Sequence, residues 1–382
     1  MIYLLVKAML SSNWRIIHHL EFLRVFTFIT FQAPVAVAVS FFIILLTGRS
    51  TIAWLQKHHI GDDPNFDQAE VNKIMAPKRG TPTMGGLLII ASIAATTLLL
   101  ADLRNFYVQM ALICLIWLGG VGGADDWLKA TAGRRANSRQ GMTTLEKLLF
   151  QIGLAVVLSL FTYWHGQWVA PARELAVPFF KSVHPTLGLL PFVLIGTLVM
   201  TGASNAVNLT DGLDGLAAGT MAIVAFTLMV FALIVGTAPL ATYLLLPHIE
   251  ASGQMAVLAG ATMGACLGFL WFNCYPAQVF MGDTGSLALG GLIGYIAIVI
   301  RQELILLIVG GIFVAEALSV ILQVGYFKYS RKRFGMGRRI LLMAPLHHHL
   351  QRKGWTETQV VVRFWLLTAM LAALALATIK LR

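Results

Sequence analysis

Apolar residues run along this chain in long blocks broken by short polar stretches. The blocks are apolar on every side rather than along one stripe, as expected of helices buried in lipid or protein. Ten of them are roughly long enough to cross a bilayer, which takes about 20 residues. They lie near 26–46, 82–101, 106–124, 145–164, 187–205, 212–236, 254–272, 285–300, 303–326 and 360–379. A transmembrane barrel would instead show segments of about ten residues with strict alternation. The reading is an all-α polytopic membrane protein, one membrane-embedded domain over 1–382, with about ten transmembrane helices.

Composition agrees. Of 382 residues 58% are hydrophobic and 12% charged, which leaves too little polar surface for a soluble fold of this size. The three cysteines, Cys114, Cys266 and Cys274, show no metal-type spacing and suggest no disulfide framework. The first 25 residues mix NWRIIHHLEFLR with apolar residues and show no small-residue cleavage site.

Charge sets the expected direction. Three loops are basic: 47–81 (Arg49, Lys57, Lys73, Lys78, Arg79), 125–147 (Lys129, Arg134, Arg135, Arg139, Lys147) and 327–359, which contains RKR and GRR. With ten spans all three fall on one side, and the positive-inside rule makes that side cytoplasmic. Both termini then lie outside, in the periplasm. The net charge of +11 belongs to these loops and does not indicate nucleic acid. The same topology gathers Asp125, Asp126, Asp211, Asp214 and Asp283 at the cytoplasmic face.

Each motif has a plain explanation and a chemical one. The pair in GGADDWLK, residues 122–129, could be a solvated helix end with Lys129 as partner. Adjacent carboxylates repel unless a cation joins them, and ionisable residues at span edges are usually functional. In NLTDGLDG, Asp211 and Asp214 stand three apart, so on a helix they share a face. Helix capping would explain one of them but not both. Asp283, in FMGDTGS, is flanked by glycines that permit close backbone approach to a ligand. Asn273 could donate to a phosphate or ribose. Phe280 could stack on a base or simply be buried at the interface. The histidines 347–349 are too tightly spaced on a helix to face one ion together, and beside Arg and Lys they suit anionic oxygen. Lys78, Arg79, Thr81 and Thr83 precede the second span, where a positive-inside anchor is the simpler account of Arg79. Carboxylates for magnesium, cations for phosphate and an aromatic for a base point to phosphoryl transfer between a soluble nucleotide and a membrane lipid. An anion transporter is the alternative; against it, the acids gather at one face and no inverted repeat is visible.

The strings KRGTPTMGG, ADDWLK, NAVNLTDGLDGLA, FLWFNCYPAQVFMGDTGSLALGG and APLHHHLQRKGW resemble the phospho-N-acetylmuramoyl-pentapeptide-transferase family. That family lies within the polyprenyl-phosphate N-acetylhexosamine-1-phosphate transferases. The segment TAGRRANSRQGMTT differs from the Lys-rich loop that the resemblance leads one to expect, and no residue is carried over from it. The resemblance implies a bacterial inner-membrane enzyme of peptidoglycan synthesis, a homodimer, with Mg²⁺ as cofactor. Its reaction would join UDP-N-acetylmuramoyl-pentapeptide to undecaprenyl phosphate, giving lipid I and UMP. It assigns Asp283 to the metal, and Asp125 and Asp126 to the lipid phosphate. Asp211 and Asp214 go to the nucleotide side, Phe280 and Asn273 to uridine, and Lys78, Thr83 and Lys129 to phosphate. Asn208 joins the substrate-binding set, His347 the catalytic one, and His348 and His349 the donor.

Overall fold

A computed structural model describes residues 1–11, 24–58, 80–132, 141–180 and 183–379. Helix α1 (Ile2–Ser11) is short, and α2 (Ile29–Lys57) is the longest among the described residues. Helix α3 (Gly86–Leu100) leads to α4 (Phe106–Ala132), α5 (Thr144–Gly166) and α6 (Leu189–Thr210). A five-residue turn joins α6 to α7 (Leu216–Val235), and the short α8 (Ala238–Leu244) leads on to α9 (Met255–Asn273). Then come α10 (Gly282–Val299), α11 (Glu303–Val309), α12 (Gly311–Phe334), α13 (Leu346–Arg352) and α14 (Glu357–Ala377). Among the described residues there is no strand, and an isolated bridge joins Glu174 to Thr186.

Nine of these helices are long and apolar enough to cross a membrane. The expected second span is shorter than that: α3 has 15 residues, about 22 Å at 1.5 Å per residue. Pro82 and the turn at Gly85 delay its start. The ninth expected span is broken at Gly310 into α11 and α12. An apolar run containing GG reads as continuous by hydropathy, although glycine is a poor helix former.

Three helices form the centre. Almost every residue of α7, α9 and α10 is buried, so lipid or solvent meets mainly the others. Small residues make this packing possible. In α9, Gly260, Gly264 and Gly268 fall four apart and face α2, where a Cβ would stand 2.5 Å from the carbonyl oxygen of Ala33, 2.0 Å from that of Val37 and 2.9 Å from that of Phe41. This is the small-residue spacing by which membrane helices approach closely. Polar ends are capped from the sequence: Thr143 with Glu146 opens α5, and Thr356 with Gln359 opens α14, each a reciprocal capping box.

At the end of the bundle remote from the acidic motifs, Arg301 and Glu303 are almost fully buried and paired at 2.6 Å. Arg301 also donates to the Glu174 carbonyl at 2.9 Å and lies over the Phe192 ring. The pair ties the start of α11 to the segment that precedes α6.

Candidate active site

Helices α4 and α10 meet where one ends and the other begins. The first N–H groups of α10 need acceptors, and Asp126 on α4 supplies them. Its Oδ1 accepts from the Asp283 amide at 3.1 Å. Its Oδ2 accepts from the Thr284 amide at 2.9 Å and the Thr284 hydroxyl at 2.6 Å. The contact is close because Gly122 has no side chain: a Cβ there would lie 2.2 Å from the Asp283 carbonyl oxygen. One turn of α4 therefore both caps α10 and brings Asp125 beside Asp283.

Asp125, Asp126 and Asp283 each offer a carboxylate oxygen within 4.8 Å of the others. Two ammonium groups bridge Asp125 and Asp283. Lys129 lies 2.7 Å from Asp125 and 3.3 Å from Asp283. Lys147, from the first turn of α5, lies 3.3 Å from Asp125 and 2.9 Å from Asp283. The second Asp125 oxygen accepts from the Met142 amide at 2.6 Å. The second Asp283 oxygen accepts from Asn208 on α6 at 2.8 Å, and Asn208 is fixed in turn by Ser286. Thr83 borders the group: a Cβ on Gly282 would meet Asp126 and the Thr83 hydroxyl together.

The 211–215 turn departs from the expectation that Asp211 and Asp214 share a helix face. They do not lie on a helix. Asp211 ends α6, and Gly215 adopts a left-handed φ of +78° before α7 begins, a conformation that favours glycine. The two side chains have different surroundings. Asp211 faces the acidic group, and its carboxyl is pushed up to about 7 by burial, by the charges of Asp283 and Asp126, and to a lesser degree by Asp214. Asp214 accepts from the Ala277 amide at 3.0 Å, while its own amide donates to Glu357.

Asn273 is buried and tied into the fold, accepting from the Gly215 amide at 3.0 Å and donating to the Val279 carbonyl at 2.8 Å. Phe280 is half-buried, and its main chain is bound to Pro82 and Gly85. These bonds lash the 273–281 loop to the turn on one side and to the approach of α3 on the other. The histidines separate as their spacing requires. His347 is buried against Glu316, with Nδ1 3.2 Å from one carboxylate oxygen and its amide donating to the other. Its Nε2 faces Gly212, where a Cβ would approach to 2.4 Å. His348 pairs with Gln351, and His349 accepts from the Leu342 amide. Lys78 lies outside the described residues.

Sequence reasoning passed over two residues here. Lys147 was indistinguishable from a positive-inside anchor. Glu316 carried a usable signal, a lone acid within the apolar run GGIFVAEALSVIL.

A lysine-bridged carboxylate group at one end of a polytopic helical bundle suits phosphate chemistry, and a family model supplies the class. The model described as glycosyl transferase family 4 matches residues 108–301, so this is a membrane-embedded member of that group. A phospho-N-acetylmuramoyl-pentapeptide-transferase signature matches residues 78–90. A phospho-N-acetylmuramoyl-pentapeptide-transferase of Desulfotalea psychrophila (strain LSv54 / DSM 12343) is 46% identical over 359 residues, 94% of this chain and 96% of its own. The chain belongs to the phospho-N-acetylmuramoyl-pentapeptide-transferase family.

Proposed function

We propose that the protein transfers phospho-N-acetylmuramoyl-pentapeptide from UDP-N-acetylmuramoyl-pentapeptide to undecaprenyl phosphate, releasing UMP and leaving lipid I in the membrane. The observation that carries this reading is the Asp125–Asp126–Asp283 group with Lys129 and Lys147 between its members. Family membership supplies the substrates. The site would face the cytoplasm, where the nucleotide is, with both termini on the periplasmic side of the bacterial inner membrane. The homodimer implied by the resemblance belongs to the same proposal.

An oxygen of the lipid phosphate attacks the phosphorus attached to the sugar. The bond from that phosphorus to the bridging oxygen breaks, and its electron pair leaves with UMP. One phosphoanhydride replaces another, so catalysis comes mainly from positioning and from neutralising charge. The carboxylate oxygens fit Mg²⁺, a hard cation usually held by a few carboxylates together with substrate phosphates. Asp283, with Asp125 beside it, would hold the ion, whose bound charge would offset that of the phosphates. Lys129 and Lys147 do the same from the protein side. Asp126 is committed to the first amides of α10, so its part is to fix where Asp283 stands.

The geometry favours direct attack by the lipid phosphate over an acyl-phosphate route. One Asp125 oxygen is held by two ammonium groups and the other by an amide, which stabilises the anion and blunts it as a nucleophile. The test is UMP release by purified protein given the donor, the lipid phosphate and Mg²⁺. Release must require all three. Stoichiometric UMP release without lipid, with the sugar phosphate retained on protein, would overturn the direct route. No release at all would overturn the function.

A further inference from the structure

Beside the carboxylate group lies a cavity that the reaction described above does not use. It measures about 450 Å³ and opens between the last turns of α2 and the 277–278 segment. Its walls include Arg49 and Gln56 from α2, Thr81 and Pro82 from the approach to α3, and Ala277 and Gln278 from the loop after α9. Arg49 and Gln56 stand seven apart, two helical turns, and therefore share a face.

The walls are continuous with the candidate active site. Pro82 accepts from the Phe280 amide at 2.8 Å, and the next residue, Thr83, borders Asp126 and Gly282. Ala277 donates to Asp214. A donor whose diphosphate lies at the carboxylate group thus has a polar cavity immediately beside it. Among the described residues the lining holds a guanidinium, two carboxamides and a hydroxyl, and no carboxylate. Arg49 is exposed and makes no ion pair among the described residues. Such a surface suits neither a polyprenyl chain, which needs apolar walls, nor a cation. Guanidinium with carboxamides is the chemistry that recognises a carboxylate, bidentate where geometry allows.

We propose that this cavity receives the peptide arm of the donor, with Arg49 reading one of its carboxylates and Gln56 and Gln278 meeting its amides. The inference rests on the functional reading above, because that reading is what supplies a donor bearing a peptide. It makes Arg49 a specificity residue for the peptide, remote from the reacting phosphorus.

The experiment compares two donors by steady-state UMP release in detergent with saturating lipid phosphate. One is the native UDP-N-acetylmuramoyl-pentapeptide. The other carries the same peptide with its carboxylates converted to amides. For Arg49→Gln the KM for the native donor should rise about tenfold, the worth of one hydrogen bond to a charged group, with kcat nearly unchanged. The amidated donor should show the higher KM already with wild-type enzyme, and the substitution should alter it little. Arg49→Lys should recover part of the loss by keeping the charge. A native-donor KM unaffected by Arg49→Gln, or an equal loss with both donors, would overturn the proposal. Wild-type enzyme that released no UMP from the native donor would instead overturn the functional reading, and this proposal with it.

Discussion

Replacing Asp126 with alanine tests whether this carboxylate works by holding α10 or by chemistry of its own. The side chain accepts three hydrogen bonds, from two amides and a hydroxyl. Loss of a helix cap costs about 1 kcal/mol, and a buried amide left without an acceptor costs about 1–3 kcal/mol. Relief of repulsion between Asp126 and Asp283 offsets part of this, so a net loss of roughly 2 kcal/mol is expected. The amide that Asp126 fixes is that of Asp283 itself. The Mg²⁺ concentration giving half-maximal UMP release should therefore rise about tenfold, as is usual when a ligand loses its supporting hydrogen bond. Asp126→Asn keeps an acceptor oxygen and should recover most of the stability, since asparagine caps as well as aspartate. The assays are thermal unfolding of purified protein and UMP release across a Mg²⁺ titration. An alanine variant with wild-type unfolding and wild-type Mg²⁺ dependence would refute the capping argument. So would an asparagine variant as unstable as alanine.

Three further outcomes are expected. Gly122→Ala places a Cβ against the Asp283 carbonyl, which is backbone and cannot step aside; α4 and α10 must separate, and UMP release should fall by at least about tenfold, whereas turnover near wild type would show that the junction yields. Arg301→Met leaves Glu303 buried without its partner and should cost about 3–5 kcal/mol, with the double variant Arg301→Met, Glu303→Gln recovering most of it in unfolding measurements. The Asp211 carboxyl is raised in the fold from 3.8 to about 7, so the folded state keeps a proton that the unfolded chain has lost. Stability from this group is complete below pH 3.8 and lost as pH rises towards about 7. In metal-free buffer wild-type protein should lose stability across that window more steeply than Asp211→Asn, and parallel curves would contradict the assignment.

Hydropathy located the helices because the long apolar blocks must be buried in lipid or in protein. It could not place their interruptions. Gly310 splits one block into α11 and α12, yet a glycine inside an apolar run leaves the average unchanged. The same limit explains the misplaced Asp211–Asp214 pair. Spacing three apart implies a shared face only if the backbone is helical, and the left-handed Gly215 ends that condition. Asp125, Asp126 and Asp283 were legible because carboxylates are rare in this chain and expensive near lipid. Lys147 was not, because basic residues at span ends are common and say only which side they face. Its selection depends on α5 returning beside α4, a tertiary fact that no local pattern encodes.

The chemistry and the packing therefore depend on the same atoms. Asp126 can cap α10 only if α4 comes within van der Waals contact of the Asp283 backbone, and the missing side chain of Gly122 permits that. Gly86 repeats the arrangement on the other flank, where a Cβ would stand 2.1 Å from the Gly285 amide nitrogen. Three helices are thus held at backbone contact around the first turn of α10. That turn carries Asp283, and its N-terminal dipole favours negative charge there. The bundle is closely packed where three carboxylates are held together against their own repulsion. Lys129 from α4 and Lys147 from α5 offset the repulsion from the exposed side. On the function proposed above, a phosphate arriving at the site would meet two ammonium groups already oriented by carboxylates, which would leave little reorganisation for the reaction itself. Close glycine packing and paired charge are in this sense one device: the first sets the distances, and the second makes them tolerable.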